Sequence, residues 1–216
     1  MTWVLGNLPL IGDLTLEHLA FALPPVVLGL LLAIPLGWLA NRTRVGRAIV
    51  INLAGLLYTV PSLALFVILP VVLGTGILDP LNVIVALTVY TLALLVRTVA
   101  DALSAVPGMV IDSATAMGYR PVRRFLAVEL PLSIPVVLAG VRVAAVSSIS
   151  LVTVGSVIGF GGLGKMFTDG FQRDIPQEII AGIVLVLVIA LVVDGLLLLL
   201  GRALTPWTQV RAGANR

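Results

Sequence analysis

From Leu19 to Ala40, and again from Ala48 to Leu73, the chain carries no Asp, Glu, Lys or Arg. Each run is long enough to cross hydrocarbon, which takes about 20 apolar residues in a helix. Backbone amides inside lipid must find partners within their own segment, so such runs fold as helices. Three further apolar runs follow with only isolated charges. The spans read as about 19–40, 48–73, 81–104, 132–158 and 179–201. Pro61 is expected to kink the second. The chain therefore reads as an all-α integral membrane protein, a five-span helical bundle in a single domain, residues 1–216.

Composition agrees. Hydrophobic residues make up 60% of the 216 positions and charged residues 11%, with a mean hydropathy of +1.19. A soluble domain carries roughly a quarter charged residues, so these charges cannot clothe a globular surface and lipid must solvate the rest. Cysteine is absent and His18 is the sole histidine, which excludes thiolate sites and multi-histidine metal clusters within the chain. The net charge of +3 suggests membrane topology and not nucleic acid, because the basic residues cluster between apolar runs.

That clustering orients the bundle. The first loop holds Arg42, Arg44 and Arg47, and the next only Asp79. The loop at about 105–131 holds Arg120, Arg123 and Arg124, and the tail Arg202, Arg211 and Arg216. Between the last two spans, Lys165 and Arg173 are outweighed by Asp169, Asp174 and Glu178. Basic loops stay inside, which predicts an external N-terminus and a cytoplasmic C-terminus. No basic region precedes the first apolar run, which argues against a cleaved signal peptide.

The stretch GFGGLGKM, 159–166, approaches the phosphate-loop pattern, but Met166 stands where a Ser or Thr hydroxyl should reach magnesium. It also falls at the outer end of the fourth span, away from cytoplasmic ATP, with no α/β domain around it. Clustered glycines that turn the backbone sharply explain it better. Neither HExxH nor GxSxG occurs, so an intramembrane hydrolase has no sequence support.

The most informative segment is DSATAMGYRPVRRFLAVELPLSIP, 112–135. Residues 111–117 read as a short helix with small side chains, ended by Gly118, and Pro121 suits the first turn of a second helix. Phe125, Leu126 and Val128 would give that helix an apolar side and the arginines a basic one. Leu130-Pro131 then returns the chain to the membrane.

At these residues the chain resembles the permease subunits of type I ABC importers. Their cytoplasmic loop reads Glu-Ala-Ala, three residues, Gly, nine residues, Ile-x-Leu-Pro. Here Asp112-Ser113-Ala114, Gly118 and Val128-Glu129-Leu130-Pro131 keep every spacing, with Asp for Glu, Ser for Ala and Val for Ile. The stretches YTVPSLAL (58–65), VPGMVIDSA (106–114), LPLSIPVVLAGVR (130–142) and VIGFGGLG (157–164) resemble the osmoprotectant branch, whose solutes are glycine betaine, choline, carnitine and relatives. Methionine permeases share the five-span plan and stay open as an alternative, with a channel or membrane scaffold behind them.

The resemblance implies a non-enzymatic subunit in the cytoplasmic membrane of a prokaryote, working with separate ATPase subunits that bind ATP and magnesium. It also implies a second permease bundle, identical or related, and an extracytoplasmic solute-binding protein, all in membrane lipid and with no nucleic acid. Asp112, Ser113, Ala114, Gly118, Tyr119, Arg120, Arg123, Arg124, Val128, Leu130 and Pro131 would form the ATPase-coupling element. Tyr58 and Tyr90 are the aromatic candidates along the path, since quaternary ammonium is drawn to an aromatic face. Pro61 and Ser62 lie where an unwound span would free carbonyls. Tyrosines also anchor at membrane interfaces, so both readings stand.

Charges within spans need partners. Arg142 and Asp194 fall at similar depths and are expected to meet. Arg97 and Asp101, four residues apart, are the competing local pair.

Overall fold

The computed structural model describes residues 2–207, so Arg211 and Arg216 lie outside the described residues. Every regular element among them is helical. A short α1 (Thr2–Gly6) leads into α2 (Leu8–Ala40), followed by α3 (Arg44–Thr59), α4 (Ser62–Leu73) and α5 (Pro80–Ser104). Next come α6 (Gly108–Ala116) and α7 (Pro121–Arg124). A π-helical turn, Phe125–Glu129, joins α7 to α8 (Leu130–Gly155), which ends in a 3-10 turn, Ser156–Ile158. The chain closes with α9 (Lys165–Gln172) and α10 (Pro176–Leu204).

Four helical runs are long and apolar enough to span a membrane: α2, α5, Pro121–Ile158 and α10. The pair α3 and α4 makes a fifth only when taken together, because it bends by 100°. Pro61 caps α4 at that bend, and its missing N–H prevents the ladder from continuing. The expected kink at Pro61 is thus a full corner.

Two other boundaries differ from the sequence expectation. The first long helix starts at Leu8, not near residue 19, and so includes Asp13, Glu17 and His18. Glu17 and His18 are tolerated because both find partners in the glycine loop, as described below. The chain also does not break at Leu130-Pro131. The N–H of Leu130 bonds five residues back to the carbonyl of Phe125, so the i→i−4 ladder is already displaced where proline lacks its donor. One helical run therefore continues from Pro121 to Ile158.

The centre of the bundle is α5, packed against α2, α3, α4 and α8. Small residues set how closely it approaches its neighbours. Gly29 and Gly37 of α2 face Thr91 and Val99, and a Cβ on Gly37 would lie 2.8 Å from Val99 Cγ1. On the opposite side Gly140 of α8 meets Thr98. Prolines 24, 25 and 35 remain inside α2, and hydroxyls from neighbours reach carbonyls beside them. Thr91 donates to the Pro25 carbonyl at 2.7 Å and Ser148 to that of Ala22 at 2.7 Å. In lipid such bonds replace what water would supply.

By contrast α10 lies at the edge and buries only Glu178, Gly182 and Gly201. It touches α1, α8 and α9.

These seams predict a directional response to added bulk. Gly37→Leu should destabilise the bundle by about 1–3 kcal/mol through overpacking, read as a lower thermal midpoint in detergent. Gly195→Leu, with nothing within 4 Å of its Cβ position, should stay within about 0.5 kcal/mol of the parent.

Candidate functional site

The segment between α5 and α8 is an ordered helix–turn–helix. Ser113 bonds back to the Met109 carbonyl at 2.7 Å, within α6. Gly118 ends that helix in the left-handed region, at φ +86. The Gly118 N–H reaches the Thr115 carbonyl at 2.9 Å and the Tyr119 N–H the Ala114 carbonyl at 3.1 Å. This paired closure is the Schellman arrangement, which selects glycine at that one position. Arg120 is extended, as the residue before a proline must be, and Pro121 opens α7.

Arg124 holds the two short helices together. It donates to Glu129 Oε1 at 2.6 Å and to Thr115 Oγ1 at 2.8 Å. Glu129 is nearly buried, which makes this bond more than a solvated surface pair. Phe125 anchors the base of the element by stacking on Trp38 of α2, with centroids 4.9 Å apart. Arg42 covers the Trp38 ring at 4.1 Å and Arg123 the Tyr119 ring at 5.1 Å.

The predicted coupling residues fall into two groups. Asp112, Ser113, Gly118, Arg120 and Arg123 are exposed, while Ala114 is buried and Tyr119 and Arg124 are intermediate. Val128, Leu130 and Pro131 are partly buried, and Leu130 packs on the inner core, so these three attach the element to the bundle.

Sequence reasoning passes over Met109, Met117 and Val122 and gives Leu126 only to an apolar side of the second helix. Met109 on α6, Met117 at its C-cap, Val122 on α7 and Leu126 on the π turn are 81%, 70%, 56% and 57% exposed, in a segment otherwise rich in charge and small side chains. Side chains exposed in this way are available to a partner, and methionine adapts to an irregular one. The clue was two methionines flanking the small-residue helix.

At the corner between α3 and α4 the structure brings the path candidates together. Tyr58 and Tyr90 meet edge to face with centroids 6.1 Å apart. Tyr90 donates its hydroxyl to the Val60 carbonyl, which the broken ladder has left open. Tyr58 stays 51% exposed whereas Tyr90 is buried. Pro61 and Ser62 follow directly as the cap and first residue of α4.

Arg142 and Asp194 also meet. Arg142 Nε and Nη2 each lie 2.7 Å from one carboxylate oxygen of Asp194, a bidentate pair between α8 and α10. The local alternative is weaker. Arg97 stands 3.9 Å from Asp101, whose firm partner is Arg47 at 2.5 Å. Arg47 also donates to Asn41 Oδ1 at 2.9 Å and to the Ser104 hydroxyl, tying α3 to the ends of α2 and α5.

The glycine loop holds no empty cradle. Gly159 and Gly162 have φ +93 and +81. The Gly162 N–H donates to Glu17 Oε2 at 2.8 Å, and the Leu163 N–H points to His18 Nδ1 at 3.3 Å. His18 Nε2 lies 3.0 Å from the Ile149 carbonyl, so the ring fits as a neutral tautomer carrying its hydrogen there. A Cβ on Gly161 would overlap the Glu17 carboxylate. The Gly162 and Leu163 amides, which could have received a phosphate, are already engaged.

Comparison with known proteins places these features in a family. Residues 26–206 match the family described as the binding-protein-dependent transport system inner membrane component. The chain is 35% identical over 192 residues to the choline transport system permease protein OpuBB of Bacillus subtilis, across 89% of this chain and 87% of that one. It is 33% identical over 207 residues to the osmoprotectant import permease protein OsmW of Salmonella typhimurium, across 94% and 96%. Its fold resembles a chain of the inward-facing MetNI methionine ABC transporter, with a TM-score of 0.80 over 93% of this chain and 98% of that chain, at 23% identity.

A charge-removal series tests the ion pair. Arg142→Met should leave Asp194 unpaired and reduce both membrane yield and thermal midpoint. Adding Asp194→Leu to that variant should restore much of the loss, because the apolar pair leaves no isolated charge. Yield by immunoblot and melting in detergent are the measurements.

Proposed function

Since the chain belongs to the family of inner membrane components of binding-protein-dependent transport systems, we propose that it is the membrane-spanning subunit of an ATP-driven osmoprotectant importer. Glycine betaine, choline and carnitine define the solute class. The observation that carries this reading is 33–36% identity, over 87% or more of each chain, to permeases named for choline, carnitine and osmoprotectant transport. The helix–turn–helix 108–124 supports the coupling half of the proposal, since it displays exposed apolar residues beside basic ones.

In this reading the chain lies in the plasma membrane of a prokaryote, with its N-terminus outside and its C-terminus in the cytoplasm. It pairs with a second permease, identical or related, and receives solute from an extracytoplasmic binding protein. ATP and magnesium are held by separate ATPase subunits, which dock on α6 and α7. When ATP draws those subunits together, the docked element moves with them. Arg124, bonded to both Thr115 and Glu129, fixes that element to the start of the long run into α8. A rigid helix can then carry the displacement into the membrane. The Tyr58 ring, exposed beside the broken span, offers the moving solute a face that attracts quaternary ammonium.

Uptake of labelled glycine betaine, choline, carnitine and methionine by vesicles carrying the assembled complex tests the solute class. ATP-dependent uptake of at least one quaternary amine, with methionine excluded, is the expected result. Methionine uptake alone would overturn the osmoprotectant reading and leave the importer reading intact.

Coupling has its own test. Gly118→Asp should keep the turn at a cost of about 1–2 kcal/mol, because Asp visits the left-handed region more readily than most residues. It places a carboxylate at the docking surface, so the variant should insert normally yet fail to retain the ATPase in a pull-down. Arg120→Ala and Arg123→Ala should weaken retention mildly and in a salt-dependent way. Normal retention and uptake by Gly118→Asp would remove the docking role from this element.

A further inference from the structure

Helices α2 and α10 both rest on α8, and an apolar groove of about 530 Å³ runs between them. Its floor is the buried Val137, Val141 and Ala145 of α8. Its rims are the exposed Leu31 of α2 and Leu200 and Leu204 of α10. Along α2 the groove extends from Leu23 to Ile34, about 17 Å of helix. That matches the depth of one leaflet, half of a hydrocarbon layer of about 30 Å.

Beyond Ile34 and Leu130 lies a polar cavity of about 420 Å³, lined by Trp38, Asn41, Arg42, Pro121, Arg124 and Glu129. The two spaces adjoin, since Ile34 stands one turn before Trp38 and Leu130 directly follows Glu129. The charges in the cavity do not cancel. Glu129 is taken up by Arg124 at 2.6 Å. Arg42 has no carboxylate partner among the described residues. The Trp38 ring, 4.1 Å from its guanidinium, steadies Arg42 without neutralising it. Asn41 is engaged by the Ala100 carbonyl and by Arg47. An uncompensated positive charge therefore stands at the mouth of an apolar slot.

We propose that one anionic phospholipid occupies both spaces, with its phosphate on Arg42 and an acyl chain along the groove over α8. A guanidinium holds phosphate oxygens through charge-assisted bonds, and basic pockets between spans take anionic headgroups. The groove alone would accept any acyl chain, and Arg42 alone any anion. A phospholipid carries both parts in the order in which the protein presents them. A helix of a second permease would fill the groove and leave Arg42 unanswered. The leaflet concerned is the one beside the arginine-rich loops, which is cytoplasmic in the reading above. This lipid site depends on the chain lying in a membrane and not on which solute it moves. A lipid held there also touches Pro121 and Arg124, and so joins α2 to the helix–turn–helix.

Trp38 lines the cavity and reports its occupant. The chain has three tryptophans, so Trp3→Phe with Trp207→Phe leaves Trp38 as the sole indole. The full chain with these two changes is reconstituted in phosphatidylcholine vesicles. Rising fractions of phosphatidylglycerol or phosphatidylcholine, each brominated on its acyl chains, are then included to quench a neighbouring indole. Brominated phosphatidylglycerol should half-quench Trp38 at a mole fraction roughly tenfold lower than brominated phosphatidylcholine, whose choline would bring a further cation beside Arg42 and Arg124. Arg42→Gln should bring the two lipids together. Arg44→Gln, exposed in the same loop but outside the cavity, should keep the preference.

Equal quenching by the two lipids before any change at Arg42 would overturn the proposal, and that comparison does not depend on the arginine variants folding. Loss of preference in Arg44→Gln as large as in Arg42→Gln would overturn it too, by reducing the effect to general surface charge. Quenching by neither lipid would show the groove covered by protein, such as a second copy of this chain, and would also overturn it. Relief of quenching by millimolar inorganic phosphate would assign the cavity to a free anion and remove the lipid. Arg42→Lys, which keeps the charge, should retain most of the preference, whereas its complete loss there would count against the phosphate contact. Neither solute nor nucleotide is present, so failure of this site leaves the importer reading intact, and failure of uptake leaves the site intact.

Discussion

Close approach between backbones is the constraint on which the rest of the structure depends. In lipid there is little hydrophobic gain from bringing two apolar helices together, so packing and hydrogen bonds must supply the association. Gly29 and Gly37 let α2 come down on α5, and Gly140 lets α8 do so from the other side. Only at that distance can Thr91 and Ser148 reach the carbonyls of Pro25 and Ala22. The triad α2–α5–α8 becomes a rigid frame, against which a bent span and a peripheral helix can be arranged.

The frame explains why polar features occur where they do. Val60 would leave an open carbonyl inside the membrane, and Tyr90 of the central helix closes it. Arg142 leaves the frame sideways and is matched by Asp194, which gives α10 a directional attachment that leucines alone would not provide. At the other end, Glu17 and His18 clasp the loop that ends α8. These three departures from apolar character sit at joints between the frame and something attached to it.

Much of this was legible in the residues, and the failures share a cause. Apolar runs give spans because hydrocarbon leaves the backbone no alternative. Counting residues from the helix ends put Arg142 and Asp194 at one depth, and Gly118 followed by Pro121 marked the turn. The first turns of α2 were hidden because Asp13, Glu17 and His18 look like loop until the partners of Glu17 and His18, remote in sequence, are known. Pro61 announced a break, but its 100° depends on how Tyr90 holds the corner. Met109, Met117 and Val122 give no signal of their own, because isolated apolar residues in a charged loop do not show whether they turn inward or outward.

The π turn at Phe125–Glu129 has a geometric consequence for the long helix that contains it. One extra residue is accommodated there, so everything before the turn is rotated by about 100° relative to an unbroken α-helix. The exposed side of α6 and α7 and the bundle-facing side of α8 are therefore out of phase by design of the backbone, not by side-chain choice. Deleting one residue between 125 and 129 would restore an ordinary ladder and leave every span intact. It would also swing the helix–turn–helix around the axis by more than a quarter turn, presenting a different surface to anything approaching from that side. The angular setting of this element is thus carried by a single residue of helical slack, as a vernier carries the reading of a much longer scale.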